Sequence, residues 1–453
     1  MNLLKPRGTF DVLPDEAARW RVVEEAARRV AGLYGFGEIR TPIFESTDLF
    51  VRGVGEATDI VRKEMYTFKD GSGCSLTLRP EGTAPVIRAY LENSLGRADT
   101  PARLYYLGPV FRYEKPQAGR YRQHHQFGAE TIGAAAPAAD AETIQMLLQF
   151  YAMLGIERVA TMVNSVGCRQ CRPGYGAALA AHLAERKAAL CGDCRRRAET
   201  NPLRVFDCKQ PGCAEIIAAA PRVKEHVCAR CRGHFDAVLG LLDEAGVHYT
   251  VKPELVRGLD YYTRTTFEIV AGELGAQNAV GGGGRYDDLV ELLGGPPTPA
   301  VGFGTGIERV LMVMKEQGAA SRDARGVAVA VVAWEPDAMP VARRMLRELR
   351  AVGVGAEMDG EGGSLKSQMR RAGRRGIPFV LILGAEERAR GAATLKEMRT
   401  GQEREMPLDR VPAELAGLRP EELFELNPAF HRWATPPQGP HLLLLPLSAA
   451  DPF

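Results

Sequence analysis

Apolar residues at Trp20, Val23, Ala27, Val30 and Tyr34 recur at helical spacing behind Pro14 and Asp15, which predicts a long helix that stops at Gly35. GFGEIRTPIFE then reads as a strand broken or edged at Pro42. Short β-like runs follow at MYTFKD, SLTLRP and RLYYLGPVFRYE, and Asp140 to Leu154 has the period of an amphipathic helix. LVRGLDYYTRTTFEIV, residues 255–270, becomes a strand from Tyr262 onward, yet its entrance carries an arginine, an aspartate and two tyrosines. Such groups are costly to bury unless something hydrogen-bonds them, so a polar ligand is expected there. Antiparallel-looking strands among long helices predict an α+β body over 1–325, interrupted at 168–250 by a helical, cysteine-rich insertion.

AASRDARG, residues 319–326, is small and charged as linkers are. Beyond it, strand VAVAVVAW, helix DAMPVARRMLRELRAVG, strand GAEMD, helix LKSQMRRAGRRG and strand FVLILG alternate. This predicts a small α/β domain with a largely parallel sheet over 326–415. Residues 416–453, rich in Pro and Leu, show no clear period and stay unassigned.

A chain of 453 residues exceeds one typical core, in keeping with that division. A net charge of +2 gives no overall pull toward polyanions, so any nucleic-acid contact must come from local patches. The first residues lack an apolar signal region, and no run reaches the roughly 18 apolar residues that a membrane span needs. A cytoplasmic protein without membrane contact is expected.

Eight of the nine cysteines fall between Cys168 and Cys231, which points to a local metal site rather than to disulfides. Cys168 with Cys171 and Cys191 with Cys194 are two C-x-x-C pairs within zinc spacing; Cys208 with Cys213 and Cys228 with Cys231 follow. Eight thiolates suit two tetrahedral zinc ions, with the pairing open. The alternative is a set of reduced, metal-free cysteines on a helical insertion.

Four further stretches carry candidate chemistry. GPVFRYEKPQAGRYRQHHQFGAE places Arg112 at a strand end, Lys115 and Arg120 on a loop, and Gln126 and Glu130 on a returning strand. Arginines so arranged can grip phosphates bidentately, although a solvated charged hairpin has the same composition. AVGFGTGIERVL leads a glycine-rich strand into a helix whose first turn holds Glu308 and Arg309, where backbone and guanidinium can meet a phosphate. GGGGRYDDL either clears room for a ligand or makes a flexible turn, and RPEGTAP sets Glu81 beside Thr83, fit for an ammonium group or for a helix cap.

In this order, the segments resemble the class II aminoacyl-tRNA synthetases, and the histidyl-tRNA synthetase family in particular. IRTPIFE is similar to motif 1 of that family, FRYE with its hairpin to motif 2, and GFGTGIERVL to motif 3. RGLDYYT and GGGGRYDDL resemble its two histidine-specific signatures. The resemblance implies a six-stranded antiparallel sheet flanked by helices, a homodimer formed through motif 1, and a C-terminal anticodon-binding module. It also implies ATP-driven activation of L-histidine to histidyl-adenylate with Mg²⁺ on the leaving phosphates, then transfer to the 3′ end of tRNA(His).

Carried over by position, Glu81, Gly82, Thr83 and Gln126 bind the amine or carboxylate, and Glu130, Tyr261 and Tyr262 line the imidazole pocket. Arg112, Arg120 and Arg309 hold ATP phosphates, and Arg257 stands at the α-phosphate, so that Arg257 and Arg112 are the catalytic cations. His124 stands where the family usually stacks a phenylalanine on adenine. In the family the insertion lies near the tRNA acceptor arm, and Arg195, Arg196, Arg197 and Arg204 suit phosphate contact. The second domain adds Lys366, Arg370, Arg371, Arg374 and Arg375 on one helix without an acid nearby in sequence. A rival with the same core is the catalytically inactive regulatory subunit of ATP phosphoribosyltransferase, which usually lacks the C-terminal module and the ATP-gripping residues that this chain keeps.

Overall fold

The computed structural model describes residues 3–416 apart from 57, 99–100, 118, 201, 209, 273, 275–277, 320–326 and 361–362. The predicted linker from 320 and the tail from 417 therefore lie outside the described residues. The described residues form two compact units, the first holding 3–12 and 20–319, the second 13–19 and 327–416.

The first unit is built on an eight-stranded sheet. Its strands are β1 (Gly37–Glu38), β5 (Ala102–Phe111), β6 (Gln123–Ile132), β7 (Ala160–Ser165), β8 (Tyr249–Val251), β9 (Thr263–Val270), β10 (Ala279–Arg285) and β11 (Ala300–Gly306). Their order is β1-β5-β6-β11-β10-β9-β7-β8. The six strands from β5 to β7 pair antiparallel, as the resemblance implies, while the short edge strands β1 and β8 add in parallel. β2 (Phe44–Ser46), β3 (Tyr66–Lys69) and β4 (Ser75–Leu78) make a separate three-stranded sheet, so the chain around Pro42 is broken between two sheets.

Strand alternation divides the large sheet chemically. Phe127, Ala129, Phe267 and Phe303 point into an apolar core shared with helices Pro14–Leu33, Pro137–Met153, Ala229–Glu244 and Ile307–Glu316. Phe127 stacks edge-on to Phe303 with ring centres 5.3 Å apart. The helix Pro137–Met153 is buried along most of its length, because it is covered by the sheet on one side and by Ala229–Glu244 on another. Within that core, Arg285 and Asp140 form a fully buried ion pair, and His234 reaches Asp140 at 3.2 Å. Arg285 also donates to the Ala134 and Ala136 carbonyls and, at 3.1 Å, to the Asp287 carboxylate, which satisfies its remaining N–H groups.

GGGGRYDDL is not a turn: its four glycines run through the buried middle of β10, between β9 and β11. A Cβ at Gly283 would stand 2.0 Å from the Gly302 carbonyl oxygen. The glycines let the backbones of β10 and β11 approach without side chains between them.

The second unit has a five-stranded sheet of order β13-β12-β14-β15-β16, from β12 (Val329–Val332), β13 (Ala356–Met358), β14 (Phe379–Ile382), β15 (Ala392–Glu397) and β16 (Glu403–Pro407). β13, β12 and β14 are parallel as expected, but β15 and β16 form an antiparallel hairpin that the period of the sequence did not announce. The basic helix Leu365–Arg374 does meet acids: Asp359 lies 2.9 Å from Arg371, and Glu357 of β13 pairs with Arg375. Among the described residues, no helix is long and apolar enough to cross a membrane.

Gly283→Ala is expected to destabilise the first unit by roughly 1–3 kcal/mol through overpacking. Gly71→Ala, where a new Cβ meets nothing within 4 Å, should stay within about 0.5 kcal/mol of the parent in the same denaturant titration.

Candidate functional site

Gln126, Gly128 and Glu130 face away from the aromatic core, and on this side of the sheet the polar residues converge. Glu81 caps the helix Thr83–Glu92: its carboxylate accepts from the Thr83 amide at 2.7 Å and the Ala84 amide at 2.9 Å. Thr83, which sequence offered as the cap, instead donates its hydroxyl to Glu130 at 2.7 Å. The other Glu130 oxygen accepts from the Tyr286 hydroxyl. Three sequence-predicted residues thus meet through hydrogen bonds inside a buried cluster.

Burial above all, with Glu81 adding to it, pushes the Glu130 carboxyl up to about 8, although its hydrogen bonds work the other way. Glu81 is raised as well, by burial against the pull of the two helix amides. Burial is also the main reason that Tyr106, Tyr261, Tyr262 and Tyr286 stand above the ordinary phenol range, so each keeps its proton and can donate. The Tyr261 ring centre lies 4.8 Å from that of Tyr262 and 5.6 Å from that of Tyr286. These rings wall the cluster.

The floor is made by glycines. A Cβ at Gly302 would stand 1.8 Å from a Glu130 oxygen, and one at Gly82 or Gly128 would strike the Tyr106 ring at 2.2 and 2.3 Å. Gly304 leaves its space beside the Gln126 amide, 4.0 Å from where a Cβ would sit. At Gly282 a Cβ would meet the Arg257 guanidinium at 2.8 Å. Arg257 therefore lies over β10, and Glu268 of β9 faces it at 3.7 Å. Burial opposes the Arg257 charge, but Glu268 and the two tyrosines outweigh it and raise its pKa.

The remaining arginines are held mainly by backbone oxygens. Arg112 donates to Pro80 at 2.8 Å, immediately before Glu81. Arg309 donates to Gly119 at 3.1 Å and to Ala279, tying the hairpin loop to the start of helix Ile307–Glu316. Arg120 on that loop pairs with Glu114 at 3.0 Å. Glu308 accepts from the His125 amide at 2.9 and 3.0 Å, which fixes the returning strand to the same helix. Burial first, then the Arg112 cation, bring His124 down to about 3, so its ring is neutral.

The eight cysteines form two separate groups, and the pairing is nested. Cys168 and Cys171 join Cys228 and Cys231, while Cys191 and Cys194 join Cys208 and Cys213, with all sulfurs of a group within 4.8 Å of one another. Separations of 3.7 Å for Cys168–Cys171 and 3.9 Å for Cys171–Cys231 and Cys191–Cys208 are far from disulfide bonding. They approach the roughly 3.8 Å edge of a tetrahedron with Zn–S bonds of about 2.3 Å. Amides donate to the sulfurs of Cys171 at 3.1 Å and Cys213 at 3.3 Å, although burial holds the Cys213 thiol above its ordinary range, as it does those of Cys194 and Cys231. Cys168 and Cys191 are lowered to about 7, with burial opposing and amide donors prevailing at Cys168, and the Cys194 amide leading at Cys191.

Tyr106, Tyr286 and Glu268 were missed from sequence as individual residues. Tyr286 lies inside the quoted GGGGRYDDL, but nothing local distinguishes Tyr106 or Glu268 from any strand residue. Only the register of the sheet brings them to the site. Conversely, Arg204 was expected on the surface for phosphate, and it is spent on Asp260 at 2.9 Å and the Gly258 carbonyl at 2.7 Å.

Comparison with known proteins agrees with this geometry. The family model described as histidyl-tRNA synthetase matches residues 8–310, and one described as anticodon binding domain matches 327–418. A third, a LysM-like domain of lytic transglycosylase MltD, matches 402–453, most of which lies outside the described residues. A histidine–tRNA ligase of Geobacter metallireducens is 50% identical over 411 residues, covering 91% of this chain and 98% of that protein. One of Moorella thermoacetica is 50% identical over 407 residues, covering 90% and 96%. The crystal structure of apo S. aureus histidyl-tRNA synthetase superposes with a TM-score of 0.77 at 36% identity, covering 92% of this chain and 100% of that one. With a family model matching most of its length and half of its residues shared with full-length relatives, the chain belongs to the histidyl-tRNA synthetase family.

Proposed function

We propose that the chain is a histidine–tRNA ligase, an ATP-dependent enzyme that activates L-histidine and passes the histidyl group to the 3′ end of tRNA(His). What supports this is the buried Glu81–Thr83–Glu130–Tyr286 cluster, with Arg257 beside Tyr262: in this reading Glu81 is the amine acceptor, Glu130 the imidazole partner and Arg257 the cation.

Glu81 keeps lone pairs beyond those used by the helix amides and receives the ammonium group, with Gly82, Thr83 and Gln126 around it. The imidazole presents one donor and one acceptor nitrogen; a Glu130 carboxyl oxygen accepts from the first, and the Tyr262 phenol donates to the second. A wrong amino acid leaves these buried groups unpaired, which rejects it strongly. The histidine carboxylate attacks the α-phosphorus of ATP, the mixed anhydride forms, and pyrophosphate leaves. Arg257 meets the charge that grows on the α-phosphoryl oxygens, and Arg112, Arg120 and Arg309 hold the phosphates in line.

Glu268, beside Arg257, is the carboxylate that would hold Mg²⁺, and the ion would supply positive charge for the leaving phosphates. A neutral His124 ring suits stacking on adenine. A ribose hydroxyl of the terminal tRNA nucleotide then attacks the histidyl carbonyl and AMP departs. The regulatory-subunit alternative is weaker, since Glu81, Arg112, Arg309 and the second unit are all kept.

We assign RNA contact to a cleft between the insertion and the 59–63 segment, where Arg196 and Arg197 of the insertion meet Arg62 and Lys63 alongside Asp59 and Asp193, and anticodon contact to the second unit. Ile43, Phe44 and Phe68 are exposed around the β2-β4-β3 sheet, and the Phe44 and Phe68 rings pair there at 6.4 Å. Such an apolar surface at motif 1 suits a homodimer interface. The two cysteine groups fit structural zinc by donor chemistry and spacing. The cytoplasm is the compartment where such chemistry has its substrates and where thiols stay reduced.

ATP–pyrophosphate exchange is expected with histidine and with no other amino acid, and a folded protein that histidine fails to support refutes the proposal. Glu130→Gln should cut kcat/KM for histidine by roughly 10–100-fold, the loss of one charged hydrogen bond. Its effect on stability has the opposite sign. A folded pKa of about 8 against the usual 4.5 means that Glu130 favours the fold below pH 4.5 and loses this as pH rises through 8. The melting temperature of Glu130→Gln minus wild type should therefore climb between pH 5 and pH 9. Metal analysis should find about two zinc ions per chain, and fewer than about 0.2 without chelator exposure would sink that assignment. Phe44→Asp with Phe68→Asp should halve the mass seen by light scattering; an unchanged mass argues against this interface.

A further inference from the structure

The insertion and the RGLDYY segment are joined by arginines that the two cysteine groups deliver. Arg172 directly follows Cys171 and opens helix Arg172–Glu185. Its guanidinium donates to the Tyr262 carbonyl and, at 3.4 Å, to the Asp260 carbonyl. Arg204 lies in the turn Pro202–Asp207, just before Cys208, and donates to the Gly258 carbonyl at 2.7 Å and the Asp260 carboxylate at 2.9 Å. Each group therefore supplies one grip on the same five residues, Gly258–Tyr262. Arg222, farther along the insertion, pairs with Glu254 at the entrance to this segment.

The gripped segment has little regular structure of its own between β8 and β9. Apart from these arginines, the Asp260 amide is held by the Val54 carbonyl at 3.2 Å. The segment directly follows Arg257 and ends in Tyr261 and Tyr262, so its placement sets the phenols. The core of the insertion is small, and Cys194, Cys213 and Cys231 are buried at its centre among Leu179, Leu183 and Val205. A core of that size depends on its staples, and here these are the thiolate groups.

We propose that Arg172 and Arg204 are positioning residues of the amino-acid pocket, and that zinc in the two cysteine groups holds them there, so that histidine binding depends on metal occupancy of the insertion. This rests on the assignment of Tyr261 and Tyr262 to the histidine pocket. Carbonyl acceptors matter here, because a forked guanidinium reaches two of them at fixed spacing and a lysine does not. Displacement of the segment by about 1 Å is enough to disturb a pocket built on hydrogen bonds. Zinc loss, by chelation or by thiol oxidation, then lowers histidine activation from a distance.

The test compares wild type, Arg172→Ala, Arg172→Lys and Arg204→Ala with wild-type protein stripped of metal by chelator under reducing conditions and with the same sample after Zn²⁺ is restored. Each is assayed for KM of histidine and of ATP by pyrophosphate exchange, and for hydrogen exchange of residues 254–263. The expected result is a rise of about tenfold or more in KM for histidine in both alanine variants and in the stripped protein. KM for ATP should stay within about twofold, with faster hydrogen exchange in 254–263, partial recovery in Arg172→Lys and full recovery on Zn²⁺ addition. Unchanged histidine KM and unchanged exchange in the alanine variants overturn the positioning role, as does an equal rise for both substrates. Normal histidine KM in stripped protein, or a purified protein that holds no zinc, overturns the metal dependence. Lack of histidine-dependent exchange in the wild type is a separate outcome, which refutes the assigned activity, while hydrogen exchange still reports whether the arginines hold the segment.

Discussion

The Glu130 carboxyl is the knot to which three other stretches of chain are tied. Thr83 from the RPEGT segment and Tyr286 from the end of β10 donate to its two oxygens, and Gly302 of β11 leaves the space that it occupies. A carboxylate taken this far from water is unstable alone, which is why its pKa climbs to about 8. The fold tolerates it because the surrounding hydroxyls supply donors, and a ligand that brings one more completes the set. Under the proposed function, stability is held back at this point for the sake of recognition.

The arginines sort by what holds them. Arg285 spends itself on the Asp140 carboxylate within the core and is structural. Arg112 and Arg309, by contrast, rest on backbone carbonyls of Pro80, Gly119 and Ala279. A carbonyl fixes a guanidinium's orientation, and in the proposed reaction a cation oriented in advance needs no rearrangement to meet a polyphosphate. Arg172 uses the same kind of bond in the other direction, with the carbonyl as the group being placed.

Much of this was legible in the sequence. Helical spacing at Trp20 to Tyr34 and the alternation after Tyr262 marked elements that the structure contains, because local period reports which face is buried. The order of the signature segments led to Glu81, Thr83, Glu130, Tyr261 and Tyr262, which do lie together; the roles given to them are proposals. What the sequence hid depends on long-range register. The β15–β16 hairpin, Glu268 opposite Arg257, the acids beside Arg371 and Arg375, and the nesting of the cysteine pairs all arise from neighbours far apart in the chain. The four glycines of GGGGRYDDL were ambiguous for the converse reason: a residue without a side chain has no period to read.

Those glycines have a bearing on inhibitor design. A compound that seats itself over Gly282, Gly302 and Gly304 touches main chain, and main-chain atoms cannot be deleted by a point mutation. Escape has to come by adding bulk, yet at Gly282 and Gly302 the added carbon collides with Arg257 or Glu130 before it meets the compound. Resistance at those two positions would carry its own penalty in the enzyme.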